Sequence, residues 1–515
     1  MQVVVAQVTQ GGLVQACGKT YMAQQQPIKI FELSGNSWLK GISVHPYIPI
    51  GGLFKDATNF DPFNRIGIFR PSVAESRRGA TTITTAGIEF TVGFSESSHG
   101  YFYGFGDDGA NAKVYQVGTL NAEDNVTNKT SSVKAGLGIM GGAARFKNRV
   151  VYAGNTTVRS NQFGTNFSTA NEVGILSLTT GGYVHEMQVA PDRNLYITNK
   201  NCVAKVTSVS DKSQNVAQFL TFEEDVVLRD LDSDGQNLVI AGDTNINSEV
   251  VNVQSRCFVG YWNMKSQDLT TVWDFNDVQI FAIKQCGDET VVFGRNNIYS
   301  CSVGSPPRIL IPLRPNSNFA SAYPVSPSAV ASIDKEIIVW GDQQSTVYGY
   351  GRPHPSLDKI FFKRNSTTST TIGALYFDGF DLWGGTTDVK LWVWATSIGT
   401  LTSSVLQVSD IDFKQPYRFA YAKVVLEDVL DTGESVSLQI STADGDRLVL
   451  NSSTFSFTAD GAVATHLFYP NFVDGSSGTA PLFEDMTSIQ ISNTQTNIRR
   501  LELWGYPERS DQQTT

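Results

Sequence analysis

The sequence predicts an all-β protein in which a β-propeller of about seven blades is followed by a C-terminal β-sandwich and preceded by an extended N-terminal segment. Three observations carry this. Period-two alternation and β-branched residues run through the chain, and long amphipathic helical patterns are almost absent. A short motif recurs seven times at intervals of 43 to 53 residues, the repeat length of stacked all-β units. Charged residues make up only 17% of the chain, below the ~25% of an average globular protein. Ser, Thr, Asn, Gln and Gly fill the difference, as strands joined by polar turns require.

Residues 1–75 lack the motif. They hold Gly11-Gly12, the stretch Pro46 to Gly52 and Asn59-Phe60-Asp61-Pro62-Phe63, a composition that predicts an irregular docking arm.

The motif occupies residues 76–405. An apolar run leads into Gly or a polar residue, then commonly Asp or Asn: Phe102 to Phe105 before Gly106-Asp107, Val151 to Ala153 before Gly154-Asn155, Leu195 to Thr198 before Asn199, Leu238 to Ala241 before Gly242-Asp243, Val291 to Gly294 before Arg295-Asn296, Ile337 to Trp340 before Gly341-Asp342, and Leu382 to Gly384 before Gly385. Successive anchors lie 48, 45, 43, 53, 46 and 44 residues apart. Polar turns such as Pro191 to Asn194, Asp232 to Gly235, Gly287 to Glu289 and Asp378-Gly379 precede these runs, with another strand before each. Each unit therefore reads as three strands joined by hairpins, and the anchor Gly or Asn is expected at positive φ in the second hairpin. One such unit leaves its faces uncovered; a closed ring of them covers the faces.

Residues 406–508 change character. Seven short strands are expected at Phe419 to Leu426, Ser435 to Ile440, Arg447 to Leu450, Thr454 to Phe457, Ala464 to Phe468, Ser488 to Ile491 and Ile498 to Trp504, a spacing that suits a sandwich of about 100 residues. Residues 509–515 read as a flexible tail.

Composition narrows the function classes. A net charge of −10 disfavours sequence-independent binding to a nucleic-acid backbone. The five cysteines are odd in number and form no CxxC, so neither a disulfide framework nor a zinc site is expected. No apolar stretch reaches the ~18 residues of a membrane span, and Met1 to Gln10 lacks the features of a signal peptide. The motifs of nucleophile elbows, phosphate loops, dinucleotide sites and zinc proteases are absent, so the chain is expected not to be an enzyme.

One metal site is suggested. Asp230, Asp232 and Asp234, followed by Gly235, match the first half of a calcium loop, in which carboxylates spaced by two wrap a hard cation. Positions nine and twelve are Leu238 and Ala241, so the second half fails, and the same residues suit a hairpin turn. The five histidines are scattered and make no pair at i, i+4. Trp340, Trp383, Trp392 and Trp394 lie on expected strands and read as packing residues, with sugar stacking open to any that are exposed.

The chain resembles the β-propeller virion proteins of tailed bacteriophages, chiefly the tail nozzle or hub proteins of short-tailed phages. The resemblance rests on Gly51-Gly52-Leu53 and Asn59 to Phe63 ahead of the repeats, on blades free of enzyme motifs, and on a closing segment that carries Phe413, Pro416-Tyr417, Tyr421 to Leu426, Ser435 to Ser441, Asp444-Gly445 and Ile498 to Gly505. It implies a structural tail protein of the virion, assembled in the host cytoplasm. It further implies a ring, a hexamer or close to it, around a genome-exit channel. The partners it implies are adaptor and fibre or spike proteins, genomic DNA that passes without specific binding, and the host surface. An acidic lumen would suit sliding DNA. Two alternatives stand beside this: a host-receptor or glycan-binding tail module, and a propeller-type glycoside hydrolase, which would show convergent carboxylates with shifted pKa values in the propeller's centre.

Overall fold

In a computed structural model the chain divides into two compact units. The described residues are 13–16, 19–22, 26–42, 54–60, 69, 75–78, 92–96, 101–107, 112–117, 132–133, 140–162, 172–179, 183–244, 255–315, 317–365, 371–386, 391–394, 404–411, 417–431, 434–442, 447–449, 455–456, 464–469, 482–483, 486–494 and 496–507. The expected tail 509–515 lies outside them. Among the described residues no helix is long and apolar enough to cross a membrane.

The larger unit holds residues 41–48 and 72–401. It contains seven antiparallel four-stranded sheets. In order from the inner strand outward, blade one is Val92–Glu96, Tyr101–Asp107, Ala112–Val117 and Ser132–Val133. Blade two is Met140–Phe146, Arg149–Gly154, Thr157–Gln162 and Glu172–Ser177. Blade three is Met187–Val189, Leu195–Asn199, Cys202–Val206 and Val216–Thr221. Blade four is Val227–Ser233, Leu238–Asp243, Ser255–Trp262 and Thr271–Asp277. Blade five is Ile280–Cys286, Glu289–Gly294, Asn297–Ser302 and Ser305–Pro312. Blade six is Val330–Asp334, Ile337–Gly341, Thr346–Gly351 and Ile360–Asn365. Blade seven is Ile372–Phe377, Leu382–Thr386, Leu391–Trp394 and, from the other end of the sequence, Glu75–Arg78.

Among the described residues no sheet closes on itself. Each inner strand instead neighbours the inner strand of the next blade, and that of blade seven lies beside that of blade one. The strand that completes blade seven pairs Arg78 with Leu391 and Glu75 with Trp394.

The seven motif anchors all fall on or just after the second strand of a blade. These strands are apolar almost without interruption because both of their faces are covered. In blade three, Ile197 packs with Val151, Ala153 and Ile175 of blade two, while Tyr196 packs with Leu228, Ile240 and Trp262 of blade four. Val239 and Ala241 of blade four face Ile283, Val292 and Tyr299 of blade five. Burying a large apolar side chain contributes roughly 1.5–3 kcal/mol, so this repeated interleaving dominates the stability of the ring.

Two expectations for the blade are corrected. Each has four strands, the outermost having little apolar signature, as in Val216–Thr221, where only Leu220 is buried. The anchor glycines Gly242 and Gly341 sit in strands at ordinary φ, and close packing requires them: a Cβ on Gly341 would lie 2.5 Å from Cβ of Ile372 in the next blade. Asn155 does take positive φ, at 46°.

The smaller unit holds residues 1–40, 49–71 and 402–515. One sheet runs Ile28–Ser34, Ile498–Pro507, Tyr417–Leu426 and Thr465–Phe468, with Leu482–Phe483 beside Tyr417–Leu426. The other runs Arg447–Val449, Ser435–Thr442, Met486–Thr494, Ser404–Ile411 and Phe54–Thr58, with Phe455–Ser456 beside Ser435–Thr442. All seven expected sandwich strands are present.

The expected irregular arm at 1–75 is corrected: Ile28–Ser34 and Phe54–Thr58 supply a strand to each sheet of the sandwich, and Glu75 begins the closing strand of the propeller. Phe60, from the motif thought to mark the arm, is buried. It packs 6.1 Å from Phe54 and 5.2 Å from Phe69, which stacks at 5.6 Å on Trp38. Trp38 Nε1 donates to the carbonyl of Arg499 at 2.9 Å. The propeller is thus inserted, in sequence, between strands of the sandwich.

Candidate functional site

The carboxylates singled out from sequence are put to other uses than gripping a cation. The alternation of a strand places Asp230 and Asp232 on one side of the inner strand of blade four, and both are buried. Asp230 Oδ2 accepts from the amide of Ile283 and Asp232 Oδ2 from the amide of Gln285, each at 2.7 Å, on the inner strand of blade five. Asp230 Oδ1 also accepts from the amide of Leu231. Asp234 lies beyond the strand and holds the turn, accepting from the amides of Gln236 and Asn237. No three His, Cys, Asp or Glu side chains among the described residues are grouped to hold a metal. The spacing that suggested a calcium loop is the period of a strand plus a turn.

Two further groups join this cluster. Lys284, between the two bonded amides, brings Nζ to 3.6 Å from Asp232 Oδ1. Glu186 immediately precedes the inner strand of blade three, within electrostatic reach of Asp230 and Lys284. Burial is the largest cause that raises the Glu186 carboxyl well above its ordinary range, with the Asp230 charge adding to it and Lys284 opposing. Burial likewise raises Asp230, partly offset by the Ile283 amide. Lys284 is held charged, above its ordinary value, chiefly by Asp232. Adjacent blades thus contribute a glutamate raised by burial, two aspartates fixed by backbone donors, and a lysine.

The neighbouring junctions use the same chemistry. Asp243, the anchor residue of blade four, takes a bidentate pair from Arg229 at 2.9 and 3.0 Å and accepts from the amide of Ile280 in blade five at 3.0 Å. Asp277 accepts from the amide of Asn296 and from Tyr299 Oη. Between blades five and six, Lys359 Nζ donates to Glu289 at 2.8 Å, to Asp288 at 3.0 Å and to the carbonyl of Cys286 at 2.7 Å. Glu289 also accepts from Tyr350 Oη and Ser300 Oγ. Burial acts to raise the Glu289 carboxyl, but these hydrogen bonds outweigh it and hold the group below its ordinary pKa.

A cleft of about 310 Å³ opens at the junction of blades three and four. Phe222, Val226, Phe258 and Leu269 line it, and Arg256 stands at its wall, paired with Asp274 at 3.2 Å and Glu223 at 3.5 Å. It contains neither histidine nor cysteine.

Of the histidines, His185 is buried, and its Nδ1 lies 2.8 Å from the carbonyl of Thr198. Burial lowers its pKa against the two backbone carbonyls it faces. His45 and His99 lie outside the described residues. Trp340, Trp383 and Trp394 are buried as packing residues.

Sequence reasoning missed an aromatic face on the sandwich. Tyr421 lies directly across from Trp504, with ring centroids 5.8 Å apart and planes 16° from parallel, and Tyr469 is 6.0 Å from Tyr421. The signal was a strand pattern in which Trp504 follows Glu502 by two.

No family model matches the chain, and no curated protein matches it. Among solved structures it is similar to a catalytically inactive virginiamycin B lyase from Staphylococcus aureus with quinupristin, at 10% identity and TM-score 0.46 over 62% of this chain and 99% of that one. It is similar to a streptogramin B lyase at 10% identity and TM-score 0.42, over 62% and 96%. It is also similar to the Swd1 β-propeller domain of Myceliophteria thermophila at 9% identity and TM-score 0.42, over 61% and 99%. These are likenesses of fold, and no site or activity transfers with them.

Proposed function

We propose that the chain is a structural component of a bacteriophage tail, a ring-forming nozzle or hub protein that builds the genome-exit channel and a platform for other tail proteins. One observation carries the proposal: the propeller's buried carboxylates are bound across blade junctions to backbone amides or to Lys359, and Asp243 is held within its own blade by Arg229 as well. Such groups stiffen a scaffold and leave little free chemistry. The resemblance of the opening and closing segments to tail nozzle proteins points the same way, and an acidic chain suits a conduit that does not grip DNA. The test is the mass of the purified protein in solution by native mass spectrometry, with negative-stain imaging. A closed ring of about six copies is expected. A strict monomer that joins no particle would overturn the proposal.

A second reading, a propeller-type glycoside hydrolase, is favoured by the carboxyls of Glu186 and Asp230, both raised in pKa on adjacent blades. Glu186 would serve as the acid. Hydrolysis of a surface polysaccharide that vanishes in Glu186→Gln would support it; an unchanged rate in that variant would dismiss it.

A further inference from the structure

The outer face of the sheet that contains Ile28–Ser34, Ile498–Pro507, Tyr417–Leu426 and Thr465–Phe468 is organised in rows across the strands. One row runs Lys29, Trp504, Tyr421, and Tyr469 lies at its end beside Tyr421. The next runs Glu32, Glu502, Lys423, Leu467. A third runs Ser34, Arg500, Val425. The opposite face carries Leu33, Leu501, Leu503, Ala422 and Val424, all buried, so the aromatic face is the outward one.

Two properties of this face are unlike those of an ordinary solvated sheet. Its rings are held in place: Trp504 Nε1 donates to Glu502 Oε2 at 3.0 Å, and Tyr421 is flanked by Trp504 and Tyr469. Its charges are layered. The carboxylate of Glu502 is 4% exposed and lies beneath Arg500, 46% exposed, which donates to it at 3.1 Å; Lys423 sits 3.7 Å from the same group. Lys29, 42% exposed, pairs with the less exposed Glu32. Among the described residues of this face, three cations stand against two deeper carboxylates, an excess of positive charge on a chain whose net charge is −10.

We infer that this face binds an anionic saccharide, a carboxylated or phosphorylated polysaccharide of a cell surface. Ring faces and edges meet the apolar C–H surface of a pyranose, while Arg500 and Lys423 meet its acid groups and hydroxyls. The local positive charge favours an acidic over a neutral sugar. The inference does not depend on ring assembly, because the capture assay scores the protein in whatever oligomeric state it purifies.

The experiment is binding of the full chain to an array of bacterial capsular and lipopolysaccharide glycans, with titration calorimetry on the best soluble oligosaccharide. Acidic glycans should bind, with affinity that falls as salt rises. Tyr469→Ala and Arg500→Ala should each weaken binding about tenfold; Tyr469→Ala, at an exposed side chain, should leave the melting temperature unchanged. Trp504→Phe, which keeps the packing and removes the indole donor, should weaken it as well. Absence of glycan binding, binding to neutral glycans alone, equal binding of a single-stranded oligonucleotide, or unaltered affinity in Tyr469→Ala and Arg500→Ala would each overturn the inference.

Discussion

Asp232 Oδ2 accepts a 2.7 Å hydrogen bond from the amide of Gln285, two residues along from the equivalent bond between Asp230 and Ile283, so one strand of blade four grips one strand of blade five at two points. Asp232→Ala removes one grip and the partner of Lys284. A charged hydrogen bond of this kind contributes about 1.5–3 kcal/mol, so a melting temperature lower by several degrees is expected. Asp232→Asn keeps an acceptor for the amide and should recover part of the loss. Calorimetry on both variants checks this.

Lys359 and Glu289 are buried together, and the loss of one member of such a pair costs about 3 kcal/mol. Lys359→Met should therefore melt well below the wild type at pH 7. The Glu289 carboxyl is lowered in the folded state, so its contribution is present above the unfolded value near 4.3 and is lost as pH falls through the folded value. The gap between wild type and Lys359→Met should close on acidification, as read from melting curves between pH 3 and 7.

Asp342 behaves in the opposite sense. Its Oδ1 accepts from the amides of Gln344 and Thr346, and burial outweighs these donors and pushes the carboxyl up to about 6. Its contribution is full below the unfolded value near 3.9 and declines as pH rises through 6, by roughly 3 kcal/mol in all. Asp342→Asn should remove this slope while keeping Oδ1 in place. Denaturant titrations at pH 4, 5, 6 and 7 give the comparison.

Gly341→Ala places a methyl 2.5 Å from Ile372 Cβ and should cost about 1–3 kcal/mol by overpacking. Gly174→Ala, with nothing within 4 Å of the new atom, should be neutral or slightly stabilising. Equal effects in the two variants would contradict the close packing between blades six and seven.

The strand Glu75–Arg78 completes blade seven through pairs with Leu391–Trp394. Replacing both Ser76 and Arg77 with proline removes donors from this ladder. Hydrogen exchange at the amides of 391–394 should accelerate by at least about tenfold, while the second strands of blades three to five keep their protection.

The repeat was legible because the second strand of every blade is buried on both faces, which writes an apolar run and a fixed anchor into the sequence seven times. The outermost strands carried no such signature: Val216–Thr221 buries one residue, and Glu75–Arg78 reads as four polar residues. Nothing in those four residues tells of a partner at Leu391–Trp394. The strand Ile28–Ser34 shows a weak alternation and went unread for a similar reason. Asp230, Asp232 and Asp234 suggested a calcium loop because the spacing of a cation loop and that of a strand leading into a turn are the same. Their neighbours decide between the two, and those, Ile283 and Gln285, lie about 50 residues on. The aromatic face escaped notice because Tyr421 and Trp504 meet only by cross-strand register.

Both units join residues from the two ends of the sequence, and this bears on synthesis. At about 5–20 residues per second, the segment Glu75–Arg78 leaves the ribosome roughly 15–60 s before Leu391–Trp394 exists to receive it. The strand Ile28–Ser34 waits longer still for Ile498–Pro507. A chain that stops before Leu391 can therefore finish neither unit, and one that stops before Ile498 cannot finish the sandwich. Each keeps open sheet edges, whose unpaired backbone groups are a template for pairing with other chains.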